Sequence, residues 1–173
     1  MKPLKLKDYI RSIPGFPKPG ILFRDITPLL AEPRAFKAAI NRLSAKYKNK
    51  KIDYVVAAEA RGFIFGAAIA CRLNAGFVPV RKKGKLPAKV HAAQYCLEYG
   101  IDSLEMHQDA FKPQARVLIV DDLLATGGTV AAILDLVKQL KGKVIGICFL
   151  IELTDLRGRD KLPGLPIYSL IKY

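Results

Sequence analysis

Apolar positions along the chain fall into two alternating patterns. From Pro33 onward Phe36, Ile40, Leu43 and Tyr47 recur at helical spacing, with Pro33 suited to a first turn and lysines closing the end, which predicts an amphipathic helix. Ile52 to Ala58 is a continuous apolar run that predicts a buried strand, followed by a loop over Glu59 to Gly62 and a second helix reaching about Asn74. Phe77 to Val80 and the β-branched run Val117 to Val120 predict further strands. Val130, Ile133, Leu134, Val137 and Leu140 then set a helix over about Gly127 to Lys141, with Gly142 as its stop. Val144 to Ile151 and Ile167 to Ile171 complete the strands. The first thirty residues, punctuated by Pro14, Gly15, Pro17, Pro19, Gly20 and Pro28, read as irregular turns, and Leu86 to Gln114 as hairpin and loop.

Strands apolar on both faces, alternating with amphipathic helices, define an α/β protein with a central parallel sheet flanked by helices. In such sheets ligands sit beyond the carboxyl ends of the strands. That rule points to the exits after Ala58, Val80 and Val120.

Composition narrows the class. A chain of 173 residues with 51% hydrophobic content and a mean hydropathy of +0.16 fits one domain with a core of its own. The longest uncharged stretch, Leu123 to Leu134, is far short of the roughly 20 apolar residues of a membrane span. The Lys-Leu alternation of the first seven residues has no secretory h-region, so a soluble cytoplasmic protein without a membrane partner is expected. Cys71, Cys96 and Cys148, with His91 and His107, lack metal-ligand spacing and are expected as reduced thiols. The charge stands out: 29 basic against 15 acidic residues, a net +14. That surplus fits nucleic acid, an anionic membrane or a small phosphorylated substrate, and composition does not choose among them.

The chemistry concentrates in Val117-Leu118-Ile119-Val120-Asp121-Asp122-Leu123-Leu124-Ala125-Thr126-Gly127-Gly128-Thr129. A buried strand delivers two carboxylates to its end, and a small-residue loop then opens a helix. Gly127 and Gly128 admit an anion to backbone N–H groups, Thr126 and Thr129 add hydroxyl donors, and the helix N-terminus favours negative charge. No Lys follows the glycines as in a Walker A loop. The paired aspartates suit a sugar diol or the water around a metal ion.

This run resembles the phosphoribosyl diphosphate signature of the type I phosphoribosyltransferases. Further segments are similar to the adenine-specific branch of that family: Pro19 to Pro28, Ala60-Arg61-Gly62-Phe63, Arg81 to Pro87, Leu97 to Gly100 and Glu152 to Leu162, in order and at similar spacing. The resemblance implies a single domain over 1–173, with a hood from about residues 1–32 and a mobile loop over 86–97. It implies a phosphoribosyl diphosphate site made of Asp121, Asp122, Ala125 to Thr129, Arg61, Arg81, Lys82 and Lys85. It also implies an adenine pocket at Leu22, Phe23 and Arg24, a catalytic Glu98 that exchanges a proton with the purine, a magnesium ion held by the donor and water, and a homodimer.

The residues have their own readings beside it. Phe23 offers a face for stacking a flat base, Arg61 a bidentate grip on a diphosphate, and the Arg81–Lys85 cluster a counter-charge for a leaving diphosphate. Two departures stand out: Ala60 replaces the Ser of many relatives, and Val90-His91-Ala92-Ala93 lacks their hydroxyl residue. The expected reaction joins adenine N9 to the phosphoribosyl group, giving AMP and pyrophosphate. Its rivals are a hypoxanthine- or guanine-type enzyme and a phosphoribosyl diphosphate-sensing regulator that binds nucleic acid. A nucleic-acid partner is not expected, because the lysine runs at 46–51, 82–89 and 138–143 lie scattered along the chain.

Overall fold

The computed structural model describes residues 4–97 and 100–173, with the backbone alone at 96, 97, 100 and 101. The described chain divides into two compact units, Met1–Arg42 and Leu43–Tyr173. In the first, β1 (Arg11–Pro14) pairs antiparallel with β2 (Leu22–Asp25), and the short helix α1 (Thr27–Ala31) and helix α2 (Pro33–Ala45) follow. The expected irregular segment thus contains a hairpin. Its period of two is hidden because Pro and Gly occupy the strand ends and turn, where a lost N–H costs little. Asp25 ties this unit together: Arg11 donates to Oδ2 from Nε at 2.9 Å and Nη2 at 2.6 Å, and the Thr27 amide donates to Oδ1 at 2.9 Å. The Thr27 amide and the Arg11 guanidinium hold the Asp25 carboxyl below its ordinary pKa.

The second unit runs β3 (Tyr54–Ala58), α3 (Arg61–Leu73), β4 (Gly76–Lys82), β5 (Val90–Leu97), β6 (Gly100–His107), β7 (Arg116–Leu124), α4 (Gly128–Gln139), β8 (Lys143–Glu152) and β9 (Ile167–Lys172). Its seven-stranded sheet has the order β5-β6-β4-β3-β7-β8-β9. The strands from β4 to β9 in that order are parallel, and β5–β6 is an antiparallel hairpin added beside β4. The expected parallel sheet is therefore extended by an antiparallel edge. Residues 90–97 of the expected mobile loop over 86–97 form β5, one arm of the hairpin expected within Leu86 to Gln114. The bounds of the strand over Val90 to Tyr95 are not legible because its inward positions include the small Ala93, so the alternation carries little hydrophobic contrast.

The core explains the order. Val55, Val56, Ala57, Val117, Leu118, Ile119 and Val120 are fully buried, as expected of central strands covered on both faces. Helix α3 presses close to them because Gly66 faces Ala57, where an added Cβ would come within 2.7 Å of the Ala57 Cβ.

Candidate active site

Sheet order brings the three predicted exits together, since β4, β3 and β7 are neighbours. Ala58 stands opposite Val80, and Ala57 opposite Val120. Strand β7 outlasts β3: its pairing with β3 ends at Val120, while pairing with β8 continues through Asp121–Phe149 to Leu124–Glu152. The aspartates thus lie inside β7, not after it, and project beyond the end of β3. Both are buried. The Asp122 amide donates to Asp121 Oδ1 at 2.9 Å, and Arg61 Nη2 lies 2.8 Å from Asp122 Oδ2 as an ion pair. That oxygen is buried and accepts no hydrogen bond. Burial raises both carboxyls above their ordinary range, Asp121 further because of the neighbouring Asp122 charge.

Gly62, in the first turn of α3, makes room for this pair. A Cβ there would fall 2.7 Å from Asp121 Oδ1. Arg61, at the head of the same helix, is thereby set directly over the carboxylates.

Beyond β7 the chain turns through Ala125 and the exposed Thr126 into Gly127, whose φ of +81° caps α4. Thr129 lies half-buried in the first turn. The first N–H groups of α4 have no acceptor within the helix and face this loop, the arrangement that binds a phosphate. An unforeseen residue braces it. Gly158 packs so closely that a Cβ on it would lie 2.2 Å from the Ala125 carbonyl oxygen, and one on Gly127 would lie 2.5 Å from Gly158 O. The brace is itself fixed, because Arg159 donates to Glu152 Oε1 from Nε at 2.6 Å and to Oε2 from Nη2 at 2.8 Å. That fork pulls the Glu152 carboxyl down to about 2. The only sequence signal was the position of Gly158 within the segment Glu152 to Leu162.

The basic cluster at the β4 exit meets acids that its sequence does not reveal. Glu59 accepts from Lys85 Nζ at 3.0 Å, Arg81 Nη2 at 3.3 Å and the Lys82 amide at 2.7 Å. Burial opposes its charge, but these donors outweigh it and hold Glu59 below its ordinary pKa. Lys82 Nζ reaches Asp102 Oδ2 at 3.1 Å, and Glu105 Oε2 accepts the Gly84 amide at 2.9 Å. Arg81, Lys82 and Lys85 are therefore held at the exit by carboxylates that an arriving diphosphate would have to displace.

In the N-terminal unit, Leu22, Phe23 and Arg24 form most of β2. Leu22 is exposed and Phe23 is half-buried, its ring edge-to-face with Phe16 at 5.1 Å. Arg24 donates from Nη1 to Ser12 Oγ. The outer edge of β2 has no strand partner among the described residues, which leaves main-chain donors and acceptors for a planar ligand. Glu98 lies outside the described residues.

The geometry agrees with what the chain is similar to. The family model described as the phosphoribosyl transferase domain matches residues 29–163. Adenine phosphoribosyltransferase from Brachyspira hyodysenteriae is 55% identical over 98% of this chain and 100% of its own. The crystal structure of adenine phosphoribosyltransferase from Thermoanaerobacter pseudethanolicus superposes with a TM-score of 0.94 at 56% identity, covering 97% of this chain and 98% of that one. The Saccharomyces cerevisiae enzyme, solved with an imino-altritol bisphosphate and adenine, has a TM-score of 0.90 at 43% identity, covering 95% and 96%. With more than half of its residues shared along nearly its full length, the chain belongs to the phosphoribosyl transferase domain family, among the adenine phosphoribosyltransferases.

Proposed function

We propose that the chain transfers the 5-phosphoribosyl group of phosphoribosyl diphosphate to N9 of adenine, giving AMP and pyrophosphate in purine salvage. The observation that carries this reading is the pair Asp121–Asp122, held past the end of β3 and followed directly by the phosphate-binding turn at the head of α4. The solved yeast relative with adenine bound supports the choice of base.

The work of each residue follows from the charges that develop. The N9–C1′ bond forms as the C1′–oxygen bond to diphosphate breaks, so positive charge grows on the ribose ring and negative charge on the departing group. Buried carboxylates at Asp121 and Asp122 accept from the ribose hydroxyls and lie where cationic character develops. The turn from Ala125 to Thr129 holds the 5′-phosphate, and that grip fixes C1′ relative to the attacking nitrogen. Arg61, Arg81, Lys82 and Lys85 receive the diphosphate. Leu22, Phe23 and Arg24 hold adenine by stacking and main-chain contact, and Glu98 takes the purine's proton on the strength of the resemblance.

Among the described residues no three His, Cys, Asp or Glu side chains converge as a metal cage. Two adjacent aspartates beside a polyphosphate site suit magnesium, which keeps most of its water and takes phosphate oxygens. Asp121 and Asp122 would face that hydrated ion, whose charge would offset that of the leaving diphosphate. The family resemblance supports a homodimer, in which one hood cation reaches the neighbouring site. A cytoplasmic setting suits these phosphorylated substrates, and among the described residues no helix is long and apolar enough to cross a membrane.

Pyrophosphate release, followed with and without adenine, tests the reading. Adenine-dependent release that falls more than about tenfold in Asp122→Asn, through the donor KM, is expected. Release that is independent of adenine would overturn it.

A further inference from the structure

The opposite edge of the sheet holds a feature the reaction does not use. Residues 43–173 contain twenty basic and twelve acidic side chains, yet eight of the basic and two of the acidic (Asp53 and Asp109) stand at the approaches to and amino-terminal ends of β3, β7 and β8, leaving twelve against ten elsewhere. The parallel topology gathers them: the turn before β3 supplies Lys46, Lys48, Lys50 and Lys51, the approach to β7 supplies Lys112 and Arg116, and the α4–β8 turn supplies Lys141 and Lys143.

Several bonds lock these turns into one surface. Arg116 donates from Nε to Lys51 O at 2.6 Å and from Nη2 to Lys50 O at 2.7 Å. Arg116 stands opposite Lys143 across the β7–β8 ladder, and the Gln114 amide donates to Lys141 O at 2.8 Å. Of the two acids, Asp53 is engaged by the Arg116 amide at 2.7 Å. All seven lysines are exposed, and none forms an ion pair among the described residues. Between the turns lies an open groove of about 570 Å³, where Asn74 and Gln114 offer amides beside Lys112 and the half-buried Tyr54, its ring packed on Phe111 at 5.7 Å, lines the wall.

We propose that this edge binds single-stranded nucleic acid, its lysines on the phosphates and the groove on a base. A cationic track beside an aromatic ring and uncommitted amides is the chemistry that recognises such a strand. An anionic membrane fits less well, because the exposed large apolar side chains of this unit among the described residues, Ile64 and Leu156, stand at the head of α3 and after β8, leaving this edge no anchor. The nearly neutral balance over the rest of this unit is what makes the edge a localised feature.

The test is fluorescence anisotropy of the full chain with a labelled single-stranded RNA of about 20 nucleotides. If about four phosphates are neutralised, affinity falls roughly 50-fold between about 50 and 200 mM salt. The variant K48E/K50E/K141E should lose at least about tenfold in affinity at the lower salt and keep its phosphoribosyl transfer activity. A control of equal charge at the opposite end of this sheet, K83E/R157E/K161E, should lose less than about threefold. Equal losses in the two variants would overturn the proposal in favour of diffuse attraction by net charge. So would the absence of RNA binding at low salt, or binding to anionic vesicles in its place.

Discussion

Gly158→Ala puts the phosphate turn under direct strain. The added methyl would lie 2.2 Å from Ala125 O, 2.9 Å from Leu124 Cδ1 and 3.1 Å from the Ala125 carbonyl carbon. Attractive contacts begin near 3.5 Å, so one side has to yield by roughly 1 Å. The backbone at 158 is not in the left-handed region, and the cost is therefore steric. The Gly158 side is the stiffer one: Arg159 is forked onto Glu152, and the Leu153 amide is bonded to Leu124 O at 2.9 Å. The turn at Ala125, half-exposed and followed by Gly127, gives way instead. A 1 Å misplacement of a positioning group costs on the order of 100-fold, about 2.7 kcal/mol of transition-state binding. Steady-state kinetics at saturating adenine should show kcat/KM for the donor falling by about that factor, with the KM for adenine within about twofold. Overpacking should also cost about 1–3 kcal/mol of stability. Gly164→Ala is the control: its φ of +73° brings strain but no neighbour within 4 Å, so stability falls while the donor KM holds. A Gly158→Ala enzyme with an unchanged donor KM and only a lowered Tm would refute the reasoning, because the tail, not the turn, would then have moved.

Other outcomes follow from the same contacts. Asp121→Asn should raise the Tm at neutral pH while kcat/KM falls, because the folded carboxyl's pKa is raised and stability is lost as pH climbs from the unfolded value through the folded one; melts across pH should show the gain vanish in acid. Glu152 behaves oppositely: its folded pKa is lowered to about 2 from 4.5, so the stability it brings is present above about 4.5 and lost as pH falls toward 2. With Arg159 partly exposed, Glu152→Gln should cost about 1–2 kcal/mol at neutral pH, or roughly 2–8 °C in Tm, and the difference should shrink in acid. Phe23→Ala should raise the KM for adenine about tenfold or more by removing a stacking face, and leave the donor KM within about twofold, as initial rates will show.

Much of this was legible in the sequence for identifiable reasons. Central strands such as Val117 to Val120 are apolar on both faces, so their period needs no partner to be recognised, and the exit rule then led directly to Asp121, Asp122 and Arg61. A hairpin within Leu86 to Gln114 was legible but the bounds of β5 were not, because a strand whose buried position is the small Ala93 offers little contrast. Neither were the acids Glu59, Asp102 and Glu105, whose meeting with Arg81 to Lys85 depends on contacts about twenty residues apart in sequence. Gly158 was visible only as a residue in a segment, since its purpose is an approach to Ala125 that no local pattern encodes. The lysines looked scattered for the same reason, although a parallel sheet necessarily collects the turns before its strands on one edge.

If the turn after β7 holds a phosphoribosyl donor and the base joined to it is adenine, the products of one competition reaction will show both. Incubating the protein with phosphoribosyl diphosphate, magnesium and equimolar adenine, hypoxanthine and guanine, then identifying the nucleotides formed, tests both halves at once. AMP alone is expected. IMP or GMP among the products would contradict the base assignment at Leu22, Phe23 and Arg24, and no nucleotide at all would contradict the reaction.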